Sequence, residues 1–304
     1  MVLSWQTGVT VMSTSVLGII GGSGVYDLPE LKDAHWQPVS SPWGEPSDAL
    51  RIGTIDGLKI VFLPRHGRGH RYSPSDINYR ANIDILKRAG VTDVVSLSAC
   101  GSFRETMPPG TFVLVDQFID RTIARAKSFF GQGCVAHVSL AQPVAPGLQA
   151  AVGAALKAEA IPHTLGGTYL AMEGPQFSTL AESKLYREIW NCDVIGMTNM
   201  PEAKLAREAE LKYCTVAMVT DFDSWHPHHG EVDIQSIITQ MHANVSSAQR
   251  LVLRLARDFP RDNQPCPAGS DRALEYAIIT APEARDPALL AKLDAVAGRV
   301  LTRK

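Results

Sequence analysis

Short apolar runs, each closed by a turn rich in glycine, serine or acid, set the rhythm of this chain. Residues 16–20 (Val-Leu-Gly-Ile-Ile) are continuously apolar rather than alternating, which predicts a parallel strand buried on both faces. The stretches 58–63, 91–97, 111–115, 168–172, 193–196 and 213–220 read as further strands. Between them, Tyr79, Ile83 and Leu86 recur at helical spacing over 78–90, with Gly90 as a C-terminal stop. Residues 143–160 read as a helix despite Gly147 and Gly153, and Pro201 predicts the first helical position of a helix over 201–210. Thr179 and Glu182 form a helix-start signature, with Ala181, Leu185 and Ile189 on one face. The clearest helix spans 233–259, with Ile234, Ile237, Met241, Val245, Ala248, Val252, Leu255 and Phe259 on one stripe and Pro260 as its stop. Residues 116–130 read as a polar loop. Strands alternating with helices on this scale define an α/β fold.

The two ends carry weaker patterns. Residues 1–15 are polar, with a second methionine, Met12, just ahead of the first strand, and are expected to be a flexible extension. A linker over 262–269 separates the long helix from amphipathic pieces at 274–278 and 289–300, with Asp286-Pro287 as a helix start. The expected division is therefore an N-terminal extension over 1–15, a main α/β domain over 16–260, and a C-terminal helical extension over 261–304. The last would pack on the domain or at a subunit interface.

Composition narrows the class without choosing a function. At 304 residues, with 45% apolar and 20% charged residues, the chain is an ordinary globular protein. A net charge of -2 and the lack of like-charge blocks give no sign of nucleic acid or a membrane surface as partner. Five widely spaced cysteines, with no CxxC pair, fit free thiols better than disulfides or a zinc site. The first basic residue is Lys32, and no apolar run reaches the roughly 18 residues of a membrane span. A cytoplasmic protein is expected.

Chemistry collects at the predicted strand ends. In Gly21-Gly22-Ser23-Gly24 the glycines let an anion approach backbone amides and Ser23 adds a hydroxyl; a plain tight turn fits these residues equally well. A dinucleotide fingerprint needs a small residue at the position of Asp27, so a Rossmann cofactor site is disfavoured. Arg65 and His66, at the end of the next strand, suit a phosphate or carboxylate, the alternative being a solvated pair. Residues 98–102 (Ser-Ala-Cys-Gly-Ser) are expected to form a third hydroxyl-bearing turn, and Thr198 stands just before a helix start. If the strands are parallel neighbours, these turns converge on one sheet edge.

The last strand ends in Asp221-Phe222-Asp223. In an extended chain both acids point one way and Phe222 the other, so the two face one ligand or simply cap the strand. Phe177, at the mouth of the helix that follows it, either stacks on a flat ring or acts as a hydrophobic staple. The run Trp225-His226-Pro227-His228-His229 reads as a solvated loop rather than a metal site, since no acid or thiol stands at regular ligand spacing.

The motifs GIIGGSG, SPWGEPSDAL, PRHGRGH, SACGS, DQFIDRT, MEGPQFSTLAE, GMTNMPEAKLA and VTDFDSW, in this order, resemble the trimeric purine nucleoside phosphorylase family, and within it the members acting on 5′-methylthioadenosine. The resemblance implies a single α/β domain whose central mixed, partly barrel-like β-sheet is flanked by helices, assembled as a homotrimer with sites near the subunit interfaces. It places Ser23, Arg65, His66, Ser98, Thr198 and the Ala99 backbone on phosphate, and Met197 against the ribose. Phe177 and Ser178 would line the base pocket, with Asp221 toward purine N7 and Asp223 toward the 6-substituent. His137 would be lent to the 5′ end by a neighbouring subunit, and Val232 and Ile237 would line the methylthio pocket. Inorganic phosphate is the implied co-substrate, with no metal and no cofactor; the implied partners are a nucleoside, phosphate and further copies of the chain. Serine stands for the more usual threonine in GGSG and SACGS, Leu97 replaces a polar neighbour, and Asn199 is less usual.

The implied reaction cleaves the N-glycosidic bond of 5′-methylthioadenosine with phosphate, giving adenine and 5-methylthioribose 1-phosphate. Positive charge develops on the sugar and negative charge on the leaving purine, so the reaction asks for a phosphate dianion beside the sugar and a carboxyl able to hold a proton near N7. Asp221 fits the second task, and an ionised Asp223 would favour a 6-amino group. The competing readings are a phosphorylase for methylthioinosine or other 6-oxopurine nucleosides, a water-using nucleosidase, and a non-catalytic nucleoside or phosphate sensor on the same fold.

Overall fold

The computed structural model describes residues 13–22, 24–226 and 234–302. Its strands are Val16–Gly21 (β1), Lys32–Gln37 (β2), Leu50–Ile55 (β3), Leu58–Pro64 (β4), Asp93–Ser102 (β5), Phe112–Val115 (β6), Gln117–Asp120 (β7), His163–Leu165 (β8), Thr168–Ala171 (β9), Val194–Gly196 (β10) and Lys212–Asp221 (β11). The α-helices are Tyr79–Arg88 (α1), Pro146–Ala158 (α2), Leu180–Lys184 (α3), Glu202–Glu208 (α4), Ile234–Asp258 (α5), Pro287–Lys292 (α6) and Asp294–Leu301 (α7).

All eleven strands join one mixed sheet. β1, β4, β5 and β11, the continuous apolar runs, are parallel to one another and buried, as strands covered on both faces must be. One core layer holds α1, α4 and α7 through Ile83, Leu86, Leu205, Ala206 and Val296. The other holds α2 and α5 through Leu148, Val152, Ala248, Leu251 and Leu255. Because the four central strands run the same way, the ends of β1, β4 and β11 reach one edge of the sheet. Of the convergence expected from the sequence, Arg65, His66 and Ser98 do line one cavity, while Ser23 lies outside the described residues.

β5 departs from expectation in a way that makes the site. Residues 98–102 form no turn: they continue the strand, paired in register with β11 from Ser98 opposite Ala217 to Gly101 opposite Asp221. On the opposite flank β5 pairs with β1 as far as Ser96, and then with β10 from Gly101. The sheet thus forks, and residues 97–100 have no strand beside them on that flank. A bulge at Thr220 on β11 re-aims the end of that strand.

Other expectations shift for equally local reasons. Residues 116–130 contain β7, paired in parallel with β9, whose four residues are too short to show a period. The Thr179–Glu182 capping box is present, but Ala181, Leu185 and Ile189 are exposed while Ser183 and Tyr186 are buried. Leu185–Ile189 continues α3 as a wider π-helical turn, so that apolar face looks outward. The 289–300 piece is two helices meeting at Leu293, with Asp286 accepting from the Ala288 amide at 2.9 Å, and it packs on α1 of its own chain, where Arg88 pairs with Asp294. Residues 274–278 form turns rather than a helix. The 1–12 part of the N-terminal extension lies outside the described residues.

β2 and β3 approach closely only because position 53 lacks a side chain. A Cβ on Gly53 would lie 2.6 Å from Leu31 Cγ and 2.7 Å from the Lys32 carbonyl oxygen. Gly53→Ala is therefore expected to destabilise the fold by about 1–3 kcal/mol, read as a lowered midpoint in thermal denaturation. An unchanged midpoint would mean that β2 moves aside freely.

Candidate active site

The fork in the sheet opens into a cavity of about 400 Å³. Leu97, Ser98, Ala99 and Cys100 form its floor, Arg65 and His66 its edge beyond β4, and Met218, Thr220, Asp221 and Asp223 its side beyond β11. The strand residues left without a neighbour are thus the ones facing the empty space. At one end, Ser98 Oγ and Thr198 Oγ1 lie 2.9 Å apart, both buried, on β5 and on the loop after β10. The two hydroxyls form a compact pair at the cavity wall, each able to rotate its proton from its present partner toward an anion.

Arg65 lines the same end, but its guanidinium is largely occupied. Nε donates to Glu202 Oε2 at 2.9 Å, Nη1 to the Leu97 carbonyl at 2.9 Å, and Nη2 to Ser96 Oγ and to Glu202 Oε1. The fork expected to grip an anion instead grips Glu202, and among the described residues one Nη1 N–H has no acceptor. Burial alone would raise the Glu202 carboxyl; the Arg65 charge and hydrogen bonds from Arg65, Ser96 and Tyr213 outweigh it and hold Glu202 below the usual range. Burial likewise opposes the Arg65 charge, but Glu202 raises its pKa above the ordinary value. The pair is therefore fully ionised.

Asn199 completes this support. It is fully buried with φ 56°, and its Nδ2 donates to Thr215 Oγ1 at 2.6 Å and Tyr213 Oη at 3.0 Å. Its Oδ1 accepts from Thr198 Oγ1 at 3.3 Å. The unusual residue of GMTNM thus braces Thr198 from behind.

His66 contributes differently. Burial pushes its imidazole down to about 4, with the neighbouring Arg65 charge acting the same way. Its Nδ1 donates to the Tyr72 carbonyl at 2.9 Å, and its ring stacks on His70 at 4.1 Å. A neutral ring so held presents Nε2 as an acceptor. An anion there must either offer a P–OH proton or draw the imidazole into its charged form.

At the other end of the cavity stand the two acids. β11 ends at Asp221 and Asp223 adopts φ 51°, so the extended geometry expected of the pair does not persist. They meet all the same, because the Asp223 amide donates to Asp221 Oδ2 at 2.9 Å, while Thr220 Oγ1 donates to Asp221 Oδ1 at 2.6 Å. Burial raises the pKa of both carboxyls, that of Asp223 to about 6. Ser224 Oγ donates to the Ser178 carbonyl and Trp225 Nε1 to the Ser102 carbonyl, which fixes the short helical turn carrying Asp223.

The remaining expected residues divide. Met197 lines the cavity, and Phe177, 46% exposed, lines its mouth. Ser178 is buried beside that lining, its hydroxyl toward the Met172 sulfur at 3.8 Å. Ile237 lines the cavity together with Ile238, Met241, His242 and Val245, so Ile237, Met241 and Val245 of the long apolar stripe face this space rather than the core. His137 is exposed on its own chain and outside the cavity, its backbone amide donating to the Ala277 carbonyl. Ser23, Val232, His228 and His229 lie outside the described residues; His226 stacks on Phe222 at 4.7 Å. Sequence reasoning passed over Glu202, Ser96 and His70. Glu202 carried the one available signal, an acid in the first turn of a predicted helix beside a candidate anion ligand.

The fold is that of the nucleoside phosphorylases, and the chain belongs to the phosphorylase superfamily, whose family model matches residues 16–257. Its relatives are more specific. An S-methyl-5′-thioadenosine phosphorylase of Bradyrhizobium diazoefficiens is 69% identical over 95% of this chain and 99% of its own length. Another from Cereibacter sphaeroides is 63% identical over 94% and 99%. Among solved structures, a methylthioadenosine phosphorylase from an Antarctic soil metagenomic library superposes with a TM-score of 0.85 at 42% identity, covering 93% of this chain and 98% of its own. The Schistosoma mansoni methylthioadenosine phosphorylase in complex with adenine gives a TM-score of 0.75 at 34% identity, covering 79% and 90%.

The raised Asp223 carboxyl makes a pH prediction. Its folded pKa of about 6 exceeds the unfolded value, so its contribution favours folding below about pH 4 and is lost as pH rises through 6. By linkage, the stability of Asp223→Asn relative to wild type should improve by roughly 2 kcal/mol between pH 4 and pH 7.5. Urea denaturation at both pH values reads this directly; a pH-independent difference would mean that Asp223 is solvated.

Proposed function

We propose that this chain is a pentosyltransferase that cleaves the glycosidic bond of 5′-methylthioadenosine with inorganic phosphate, releasing adenine and 5-methylthioribose 1-phosphate. The observation that carries this reading is one cavity with a hydroxyl-lined anion end at Ser98 and Thr198, a carboxyl end at Asp221 and Asp223, and apolar side chains between and beyond them. The high-identity relatives named for this activity support it.

In this reading phosphate lies against Ser98, Thr198, the Ala99 backbone, the remaining Arg65 Nη1 N–H and His66, with Ser23 as a further ligand. The nucleoside sugar lies against Met197, and Phe177 and Ser178 border the base. As the glycosidic bond lengthens, the phosphate oxygens stabilise positive charge on the sugar and one of them forms the new bond to its anomeric carbon. Electrons of the broken bond pass to the purine, and Asp221, whose proton affinity burial has raised, supplies or shares a proton at N7. Asp223 accepts from the 6-amino group when ionised. Ile237 and Val232 would meet the methylthio group, which has no hydrogen bond to make. The reaction calls on no metal or redox cofactor.

Self-association belongs to the same proposal. Ile123, Leu180 and Ile189 are strongly exposed on neighbouring segments, joined by the Arg121 guanidinium over the Trp190 ring at 5.4 Å. Such a patch fits an interface between copies, in a homotrimer where the exposed His137 could serve a neighbour's cavity. Five buried free thiols fit a reducing cytoplasm.

The first test measures base release from methylthioadenosine, methylthioinosine, adenosine and inosine, each with and without phosphate. Phosphate-dependent adenine release from methylthioadenosine is expected; cleavage without phosphate would mean a hydrolase, and preferred cleavage of the inosine compounds would remove the assignment of Asp223. Asp221→Asn should lower kcat by about 10²–10⁴ while changing phosphate affinity little, because the acid acts mainly in the transition state. Asp223→Asn should shift the preference from 6-amino toward 6-oxo purines, read as a ratio of kcat/KM values.

A further inference from the structure

Residues 116–130 carry no role in the sequence pattern, yet Arg125 within them is buried, at 7% exposure. A buried guanidinium needs acceptors, and these come from three separate segments of the chain. Nη1 donates to the Met197 and Met200 carbonyls, both at 2.7 Å, and to Tyr79 Oη at 3.2 Å. Nη2 donates to the Glu173 carbonyl at 2.8 Å, and Nε faces the Glu173 carboxylate at 3.4 Å. That carboxylate also accepts from the Ser75 hydroxyl and the amides of Ile123 and Ala124.

Each of these segments walls the cavity. Pro74, Met172, Met197 and Thr198 line it, while Arg125 itself does not. Gly174, at φ 71°, lies so close to Met197 that a Cβ there would sit 2.5 Å from the thioether sulfur. The loop after β9 and the loop after β10 therefore meet at the Met197 side chain, and Arg125 fixes both from behind.

We infer that Arg125 is a positioning residue, which sets the spacing of these two loops around the nucleoside sugar through the carbonyls of Met197, Met200 and Glu173. The inference rests on the reaction proposed above. Thr198 keeps independent support from Ser98 and Asn199, so weakening Arg125 loosens the sugar wall while the phosphate end holds.

Lysine cannot reproduce this arrangement, because its donors radiate from one point and not from a planar fork. Arg125→Lys is expected to raise the nucleoside KM about tenfold or more, with the phosphate KM changed by less than about threefold and circular dichroism unchanged. Glu173→Gln keeps the backbone acceptor but weakens the charge pairing. It should move the nucleoside KM the same way by a smaller factor, and it decides the matter if the lysine variant does not fold. A loss confined to kcat, an equal rise in both KM values, or an unchanged nucleoside KM in Glu173→Gln would each overturn the positioning role. Wild-type protein with no phosphate-dependent cleavage would instead sink the reaction itself, and this inference with it, before any variant is compared.

Discussion

The buried ion pair between Arg65 and Glu202 is the constraint on which the Ser98–Thr198 end of the cavity depends. Both side chains are about 3% exposed, and the pair joins the end of β4 to the first turn of α4. Glu202 also accepts from Ser96 on β5 and Tyr213 on β11, while Arg65 donates to the Leu97 carbonyl. One carboxylate therefore aligns three strands and a helix. Removing either partner would leave an uncompensated buried charge, at a cost of about 3–5 kcal/mol. Elements that could slide past one another in an apolar core are held in a single arrangement by this requirement.

The pair has an electrostatic consequence. Arg65 is balanced by Glu202, and burial keeps His66 neutral, so an anion entering this end meets hydroxyls, amides and one remaining guanidinium N–H rather than bare positive charge. Such fixed dipoles need no rearrangement when charge redistributes along a breaking bond. The opposite end is tuned by the same burial acting on the opposite chemistry, raising Asp221 and Asp223 toward the range where a carboxyl can exchange a proton. The two ends are set against each other by the backbone: β5 supplies the floor of both, and β11 runs beside it to the acids.

Much of this was legible from the chain. Continuous apolar runs marked the buried parallel strands, because a strand covered on both faces has no polar side to show, and several residues closing those runs line the cavity. Thr179 and Asp286 announced their helices through local hydrogen bonds that need no tertiary partner. Thr198 could be named because it stands just before a helix start, and Asp221 and Asp223 because they close an apolar run; Ser98 was named as part of a turn and lies within β5.

Tertiary structure decided what each of those residues faces. Small residues at 98–102 look like a turn, and only pairing with β11 makes them a strand, while the divergence of β1 and β10 leaves that strand open to a cavity. The stripe of the long helix is uniform in sequence, yet Ile237, Met241 and Val245 border the cavity while Ala248, Val252 and Leu255 pack in the core, since periodicity reports a shared face and not what lies opposite it. Arg65 read as an anion ligand and proved to be largely engaged by Glu202, and Arg125 read as part of a polar loop and proved to be buried. Both findings have one physical cause: a charged side chain is defined by its partners, and these partners lie 137 and about 50 to 75 residues away along the chain, brought close only by folding.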